Sequence, residues 1–210
     1  MRVVSITEIN KQRARISLDT EESFVLYKGE IRMLKLKADC ELSEETYEAI
    51  MKGILPKRCK MRAMNLLKER SYTSYKLKRK LLDGGYPESI VDEALNYVIS
   101  FGYVNDLEYA RAYITECESS HSLAEIKNKL MTKGIPARTI EEAVKQLSDE
   151  REEYEEASFS DTETELIKKT LVKKHYTGEE SYEDRQKLLQ YFYRRGFDID
   201  KVRHVMESLT

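Results

Sequence analysis

The sequence predicts a mainly α-helical protein made of tandem helical repeats, with a small β-rich region at its N-terminus. The first observation is a pattern that occurs three times: an apolar helix face, a break at a glycine, and a second apolar helix face. The glycines are Gly85, Gly134 and Gly196. The second observation is that helix breakers are scarce, with eight glycines and three prolines in 210 residues. Stacked helical repeats present a long surface, which suits a polymer or a filament better than a small molecule.

The apolar positions of the three copies align around these glycines. Two positions precede each glycine, one follows it directly, and three lie in the next helix. They are Leu77, Ile126 and Leu188; Leu81, Leu130 and Phe192; Tyr86, Ile135 and Phe197; Val91, Ile140 and Val202; Ala94, Ala143 and Val205; and Leu95, Val144 and Met206. Residues spaced three or four apart share one face of a helix, so these positions are the predicted core.

The N-terminal region has the alternation that is typical of β-strands. Three β-like runs are separated by polar, turn-like segments. The runs are residues 3–6, 13–18 and 23–27. A Ser-Glu-Glu-Thr start at Ser43 predicts a helix to about Gly53, and the Ile54-Leu55-Pro56 stretch would close this region. We therefore predict a small β meander plus a helix over residues 1–56.

The helical part divides into three repeats and one acidic segment. Repeat 1 covers residues 57–104, repeat 2 covers 105–148, and repeat 3 covers 162–210. Thr73 or Ser74 can cap the helix that ends before Gly85, and Pro87 suits the first turn of the next helix. Residues 149–161 are an acidic linker or helix extension. The acidic run is either a solvated segment or a patch that meets a basic partner, and the sequence leaves both interpretations open.

The sequence contains no catalytic constellation that we can identify. It has no His-x-x-x-His spacing, no phosphate-binding loop, no Gly-x-Gly-x-x-Gly and no Gly-x-Ser-x-Gly elbow. We therefore predict that the protein is not an enzyme and has no catalytic residue, metal, cofactor or small-molecule substrate. Cys40, Cys59 and Cys117 lie far apart in an odd number, which argues against a disulfide framework or zinc site and favours a reducing compartment.

The chain also shows no signal for a membrane. Its N-terminal residues lack the apolar run of a signal peptide, and no stretch approaches the roughly 18–20 apolar residues of a membrane span. We predict a cytoplasmic protein without membrane contact.

A basic stretch covers residues 57–82, where ten Lys and Arg residues are opposed only by Glu69. Tyr72 and Tyr75 interleave with these cations. Such a density creates a local positive field even though the net charge of the chain is −2. The stretch could contact nucleic-acid phosphates or an acidic protein surface, or it could solvate two amphipathic helices and pair with acidic neighbours. For Arg70, close to the apolar side, a third alternative is an anchoring role at the helix–helix corner.

Two motifs resemble a known family. Residues 66–71 and 76–81, followed by Gly85-Tyr86, are similar to the first repeat of the bacterial RecX family. Residues 101–114 resemble the family's signature of Gly-Tyr, an aliphatic residue, Asn or Asp, and Asp, followed by a helix with an aromatic-Ala-x-x-aromatic pattern.

The resemblance extends beyond these two motifs. Ser120-His121-Ser122-Leu123, with Lys129-Leu130 and Lys133-Gly134-Ile135, resembles the start of the second repeat. Residues 162–210 are more loosely similar, and the first 55 residues resemble the extra N-terminal region of RecX proteins from Gram-positive lineages.

The resemblance implies three-helix repeats in an elongated, curved array and a modulator of the RecA recombinase. Such a protein would lodge in the groove of the RecA filament on DNA and inhibit recombinase, ATPase and co-protease activities, limiting recombination and the SOS response. The implied partner is the RecA filament on DNA, and weak direct DNA binding stays open. The candidate contact residues are Arg70, Lys76, Arg79 and Lys80, with Arg111 on the next helix. The alternatives are a helical nucleic-acid-binding protein without a RecA role, and a scaffold for another protein.

Overall fold

The computed structural model describes residues 1–209, which form two compact units, one of residues 1–105 and one that begins at residue 106. The first unit contains β1 Val3–Glu8, β2 Arg13–Leu18, β3 Ser23–Tyr27, α1 Lys28–Met33, α2 Glu44–Glu48, a π-helical segment Ala49–Ile54, α3 Leu55–Glu69, α4 Ser74–Leu82 and α5 Glu88–Ser100. The second contains α6 Asp106–Cys117, α7 Leu123–Thr132, α8 Ala137–Glu153, α9 Phe159–Lys173, α10 Tyr182–Arg194 and α11 Ile199–Ser208. The mainly α-helical class with a small N-terminal β region is confirmed.

The three strands form one antiparallel sheet in the order β1-β2-β3, as the alternation predicts. In the central strand, Ile16 pairs with Ile6 on one side and with Phe24 on the other. Alternate residues of this strand, Ala14, Ile16 and Leu18, are buried. Because successive side chains of a strand point to opposite faces, this pattern places one face of the sheet against the core.

The sheet shares its hydrophobic core with the helices of the first unit, because buried residues of the strands, the π-helical segment and α3–α5 form one cluster. The sheet approaches the loop between α4 and α5 closely at Gly85, whose carbonyl accepts a hydrogen bond from the Val25 N–H at 3.2 Å. Gly85 has a φ of 83°, and a Cβ atom there would overlap the Val25 side chain. Both the backbone conformation and the close approach therefore require glycine.

We expect Gly85→Ala to lower the free energy of unfolding of the first unit by about 2–4 kcal/mol, because left-handed strain and overpacking against Val25 add together. Urea unfolding followed by circular dichroism measures this loss. Gly29→Ala in α1 is the matched control, because a Cβ atom there meets nothing within 4 Å. Equal stability of the two variants would contradict a docking role for Gly85.

The chain from α2 to α3 is continuously helical, so the predicted helix end at Gly53 is wrong. The π-helical segment leads directly into α3, and Pro56 lies in the first turn of α3. Pro56 has no N–H to donate to a preceding carbonyl, and it lies at the point where the helix changes from π to α. Ile50 and Leu55 are buried on either side of this junction, so core packing stabilises the continuous helix. The division of the chain at residue 56 stays a prediction.

The helices group in threes, which confirms the predicted tandem three-helix repeats. Helices α6–α8 enclose one hydrophobic cluster and α9–α11 enclose another. Leu81, Leu130 and Phe192, which occupy one aligned position of the three copies, are fully buried. The acidic run begins as an extension of α8, which ends at Glu153. Arg151 within this run lies inward and donates hydrogen bonds to Glu118 at 2.7 and 2.5 Å.

Polar contacts join repeat 2 to repeat 3 inside the second unit. The buried Ser122 hydroxyl caps α7 and donates a hydrogen bond to the Arg195 carbonyl at 2.5 Å. The Arg195 guanidinium donates to the Ser120 carbonyl at 2.6 Å, and its Nε lies 3.5 Å from Glu125 Oε2. Lys129 Nζ lies 2.8 Å from Glu125 Oε1. Burial alone would raise the pKa of Glu125, but the Lys129 hydrogen bond and the charges of His121, Lys129 and Arg195 hold it below its ordinary value.

We expect Glu125→Gln to destabilise the second unit by about 1–2 kcal/mol at neutral pH, because Arg195 and Lys129 lose their shared counterion. The folded pKa of Glu125 lies below the unfolded value near 4.3, so the carboxylate contributes its stability above that value. The contribution is lost as the pH falls through the folded pKa, and the difference between wild type and variant should shrink there. Urea unfolding at neutral and acidic pH measures this difference.

Glu141→Gln is the control for this prediction, because the Glu141 side chain is 63% exposed in its ion pair with Lys127. An exposed pair of this kind contributes about 0–1 kcal/mol. If both glutamine variants lose the same stability, Glu125 does not stabilise the contact between repeats 2 and 3 more than an exposed ion pair would.

The helices and the cysteines can be compared with the expectations from the sequence. Every helix in residues 1–209 is too short or too polar to cross a membrane. Cys40, Cys59 and Cys117 are free thiols, and burial raises the pKa of the Cys59 thiol to about 12.

Candidate functional site

Helix α4 presents a cationic surface to solvent, which we call the α4 face. Thr73, one of the two caps that the sequence allows, caps the helix by accepting a hydrogen bond from the Lys76 N–H. Leu77 and Leu81 are fully buried on the inner side. The exposed side carries Tyr75, Lys76, Arg79 and Lys80, which define the α4 face. The 3.6-residue period therefore brings three of the predicted contact residues onto one side of one helix.

Ion pairs divide the cations of the basic stretch into two groups. Arg58 lies 2.5 Å from Glu30, Lys60 lies 2.7 Å from Glu93, and Lys78 lies 2.9 Å from Glu88 and 2.8 Å from Asp92. The remaining cations have no carboxylate within 4.0 Å among residues 1–209. They are Lys57, Arg62, Lys68, Arg70, Lys76, Arg79 and Lys80. Both interpretations of the basic stretch therefore apply, each to different residues.

The contrast between Lys78 and its neighbours follows from the packing of α4 on α5. Glu88 and Asp92 of α5 accept hydrogen bonds from Lys78, and these bonds raise the pKa of Lys78 above its ordinary value. Lys76 and Lys80 are each two residues away and face solvent instead. Lys78 thus has a partner within the fold, whereas Lys76 and Lys80 leave their positive charge uncompensated at the surface.

Tyrosines accompany the exposed cations. The Tyr75 ring is 6.0 Å from Lys76 Nζ, and its hydroxyl accepts a hydrogen bond from Arg79 at 3.4 Å. Arg70 lies at the C-terminal end of α3, with its guanidinium 4.7 Å from the centre of the Tyr72 ring. Because Tyr72 is buried, this cation–π contact holds the corner between α3 and α4. The structure therefore supports an anchoring role for Arg70 through an aromatic ring.

Arg111 belongs to the second unit and already has partners there. Its guanidinium donates hydrogen bonds to both oxygens of Glu150 at 2.9 Å and to Gln146 Oε1 at 3.1 Å. The Arg111 side chain is 20% exposed. These bonds tie α6 to α8, so the geometry favours a structural role for Arg111 over a contact with a partner.

Comparisons with known proteins agree with the repeat pattern. The model of the first three-helix domain of RecX matches residues 59–97, and that of the third three-helix domain matches residues 161–206. The regulatory protein RecX of Clostridioides difficile is 29% identical over 203 residues, which cover 95% of this chain and 91% of the relative. These matches together support a RecX family regulatory protein. The RecX of Clostridium beijerinckii is 25% identical, with 100% of this chain and 95% of the relative covered.

Solved RecX structures share this fold. A crystal structure of regulatory protein RecX matches with a TM-score of 0.65 and 21% identity, covering 98% of both chains. RecX from Lactobacillus salivarius matches with a TM-score of 0.59 and 22% identity, covering 74% of this chain and 96% of the other. The α4 face thus lies within the region that matches the first three-helix domain of RecX, and most of repeat 3 matches the third.

Proposed function

We propose that this regulatory protein binds RecA filaments on DNA. Through that contact it inhibits the recombinase, ATPase and co-protease activities of RecA, and so limits recombination and the SOS response. We further propose that it acts in the cytoplasm, where RecA and DNA are found. The similarity to RecX proteins supports the choice of partner.

The observation that carries this proposal is the uncompensated charge of the α4 face. Lys76, Arg79 and Lys80 lie on one exposed side of a helix and have no acidic partner among the described residues. The net charge of the whole chain is −2, so the molecule as a whole does not attract polyanions. A local positive field on such a protein steers one surface toward an acidic partner, which gives orientation as well as attraction.

The α4 face also fits the alternative of a helical nucleic-acid-binding protein without a RecA role. Exposed Lys and Arg beside Tyr75 are the residue types that contact phosphates and bases. This alternative predicts tight binding to bare DNA with a steep salt dependence, whereas the RecA proposal predicts an effect at concentrations where bare DNA is scarcely bound.

The decisive experiment is ATP hydrolysis by the cognate RecA on single-stranded DNA, with this protein titrated from far below stoichiometric amounts. A filament modulator acts on many subunits at once, so hydrolysis should fall at a low ratio of protein to RecA. Binding to the same DNA without RecA, measured in parallel, separates the two functions. Unchanged hydrolysis at equimolar protein would reject the RecA proposal.

A further inference from the structure

A polar cleft with a volume of about 450 Å³ opens in the first unit beside the end of α4. Four parts of the chain enclose it: the turn between β1 and β2, the end of β3, the middle of α3, and the segment that leads from α4 into the loop before α5. The lining side chains that matter here are Gln12, Arg13, Tyr27, Arg58, Arg62 and Lys80. The cleft therefore exists only because the N-terminal sheet packs on repeat 1.

The cleft carries more positive charge than the fold neutralises. Arg13, Arg62 and Lys80 have no carboxylate within 4.0 Å among residues 1–209, and Asp83 is the one acidic residue among those that line the cleft. Arg62 lies one helical turn after Arg58 on α3 and is exposed to solvent. Three cations facing one recess repel one another, and an anion bound there would relieve that repulsion.

Arg58 lines the cleft and is held by several contacts within the fold. Its guanidinium lies 2.5 Å from Glu30, donates a hydrogen bond to the Val25 carbonyl at 3.2 Å, and stacks 4.4 Å from the centre of the Tyr27 ring and 5.7 Å from that of Tyr86. Its Nε is buried without an acceptor among the described residues. These contacts hold the Tyr27 ring in place, yet Tyr27 remains 42% exposed. An ordered, partly exposed ring is a surface on which a base can stack.

We propose that this cleft binds single-stranded nucleic acid, with its phosphates at Arg13, Arg62 and Lys80 and one base against Tyr27. The planar guanidinium groups match phosphate oxygens in two-pronged hydrogen bonds, and Lys80 adds a point charge. Asn10 accepts hydrogen bonds from the Gln12 and Arg13 N–H groups at 3.0 and 2.9 Å, which shapes the turn. The exposed side-chain amide of Gln12 can then form hydrogen bonds with the edge of a base.

Two features favour a single strand over other polyanions. The bases of a duplex are stacked within the helix and cannot reach a ring in a recess, whereas a single strand can splay one base outward. An acidic peptide would use the three cations but would leave the ordered Tyr27 ring without a stacking partner. Lys80 lies on both the cleft and the α4 face, so a strand leaving the cleft would continue toward Lys76 and Arg79. This inference goes beyond the RecA proposal, because the contact needs no recombinase.

The test is fluorescence anisotropy of the full chain with labelled octathymidylate and octauridylate, without RecA. We expect the wild type to bind with a dissociation constant of about 1–100 μM at low salt. The logarithm of its association constant should fall with the logarithm of the salt concentration, with a slope of about −0.7 for each phosphate contacted. Arg13→Gln with Arg62→Gln should weaken binding at least about tenfold and reduce that slope by about 1.4. Tyr27→Leu should weaken binding by about fivefold or more with the slope unchanged.

The matched control is Lys57→Gln with Lys68→Gln, which removes the same charge from exposed positions of α3 that do not line the cleft. Its binding should stay close to that of wild type. Equal losses in the two double variants would overturn the proposal, since they would show unspecific attraction. Equal affinity for a duplex of the same length, or displacement of the strand by polyglutamate at equal charge concentration, would overturn it too.

One measurement avoids substitution altogether, in case the variants fold poorly. Backbone amide resonances of Gln12, Arg13, Gly84 and Tyr86 in the wild-type chain should shift when octathymidylate is added. Shifts confined to other parts of the chain would overturn the cleft as the site. Stronger shifts with octauridylate than with octathymidylate would support the same site and identify RNA as its preferred ligand. Since RecA is absent throughout, failure here leaves the RecA proposal to its own test.

Discussion

Replacing Lys76, Arg79 and Lys80 together by glutamate is expected to weaken inhibition of RecA by about 10- to 100-fold at low salt. Each exposed charge pair contributes up to about 1 kcal/mol, and about 1.4 kcal/mol corresponds to a factor of ten in affinity. The three side chains are exposed on one side of α4 and have no acidic partner among residues 1–209, so the substitution should leave the fold intact. The measurement is the protein concentration that halves RecA ATP hydrolysis, at several salt concentrations.

The wild type and the charge-reversed variant should also differ in how their inhibition of RecA depends on salt. Screening shortens the range of surface electrostatics from about 10 Å at 0.1 M salt to about 3 Å at 1 M. The wild type should therefore lose affinity as salt rises, and the charge-reversed variant should depend on salt far less. At high salt the two proteins should converge.

A charge-matched control is Lys145→Glu, Lys169→Glu and Lys173→Glu in the second unit, where the three lysines are exposed and have no ion pair within the described chain. This control changes the net charge by the same amount at another surface. If the α4 variant inhibits RecA as strongly as the wild type at every salt concentration, the α4 face is not the contact surface. The similarity to RecX proteins would be unaffected by that result.

Leu81→Asp is expected to abolish cooperative unfolding of the first unit. Leu81 is fully buried in the cluster that α4 shares with the sheet and with α3 and α5. Truncation of a buried leucine alone costs about 2–5 kcal/mol, and a buried carboxylate without a partner adds several more. The total is comparable to the whole stability of a small domain, about 5–15 kcal/mol. Urea unfolding and amide hydrogen exchange of residues 1–105 measure the loss.

Arg79→Asp is the control for this substitution, because it places the same carboxylate on the exposed side of α4. We expect a change of about 1 kcal/mol or less, from the unfavourable position of a negative charge near the helix C-terminus. Normal cooperative unfolding of the Leu81→Asp variant would show that Leu81 does not belong to the core.

The sequence was sufficient where structure depends on near neighbours. The spacing of Leu77, Leu81, Val91 and Ala94 predicts one buried side for α4 and one for α5, and all four residues are buried. The three strands also lie where the alternation predicts them. These features follow from the 3.6- and 2-residue periods, which any contiguous stretch of chain carries by itself.

The role of the N-terminal sheet could not be predicted in this way. Its strands were recognisable, but their packing on repeat 1 depends on the approach of Val25 to Gly85, two positions sixty residues apart. Gly85 was recognisable as a helix stop from its neighbours. Its second role, as the point where a strand touches the loop, has no local signal.

The candidate site shows the same division. The sequence alone determined that repeat 1 is rich in cations, that α4 has an exposed side with Lys76, Arg79 and Lys80, and that the chain has RecX motifs. Only the tertiary structure decided that Lys78 is neutralised by α5, that Arg111 is held by Glu150, and that Arg13 meets Arg62 and Lys80 around one cleft. The physical reason is that the charge of a lysine or arginine is the same everywhere in a sequence. Its effect depends on the carboxylates and cavities that distant parts of the chain bring within a few ångströms.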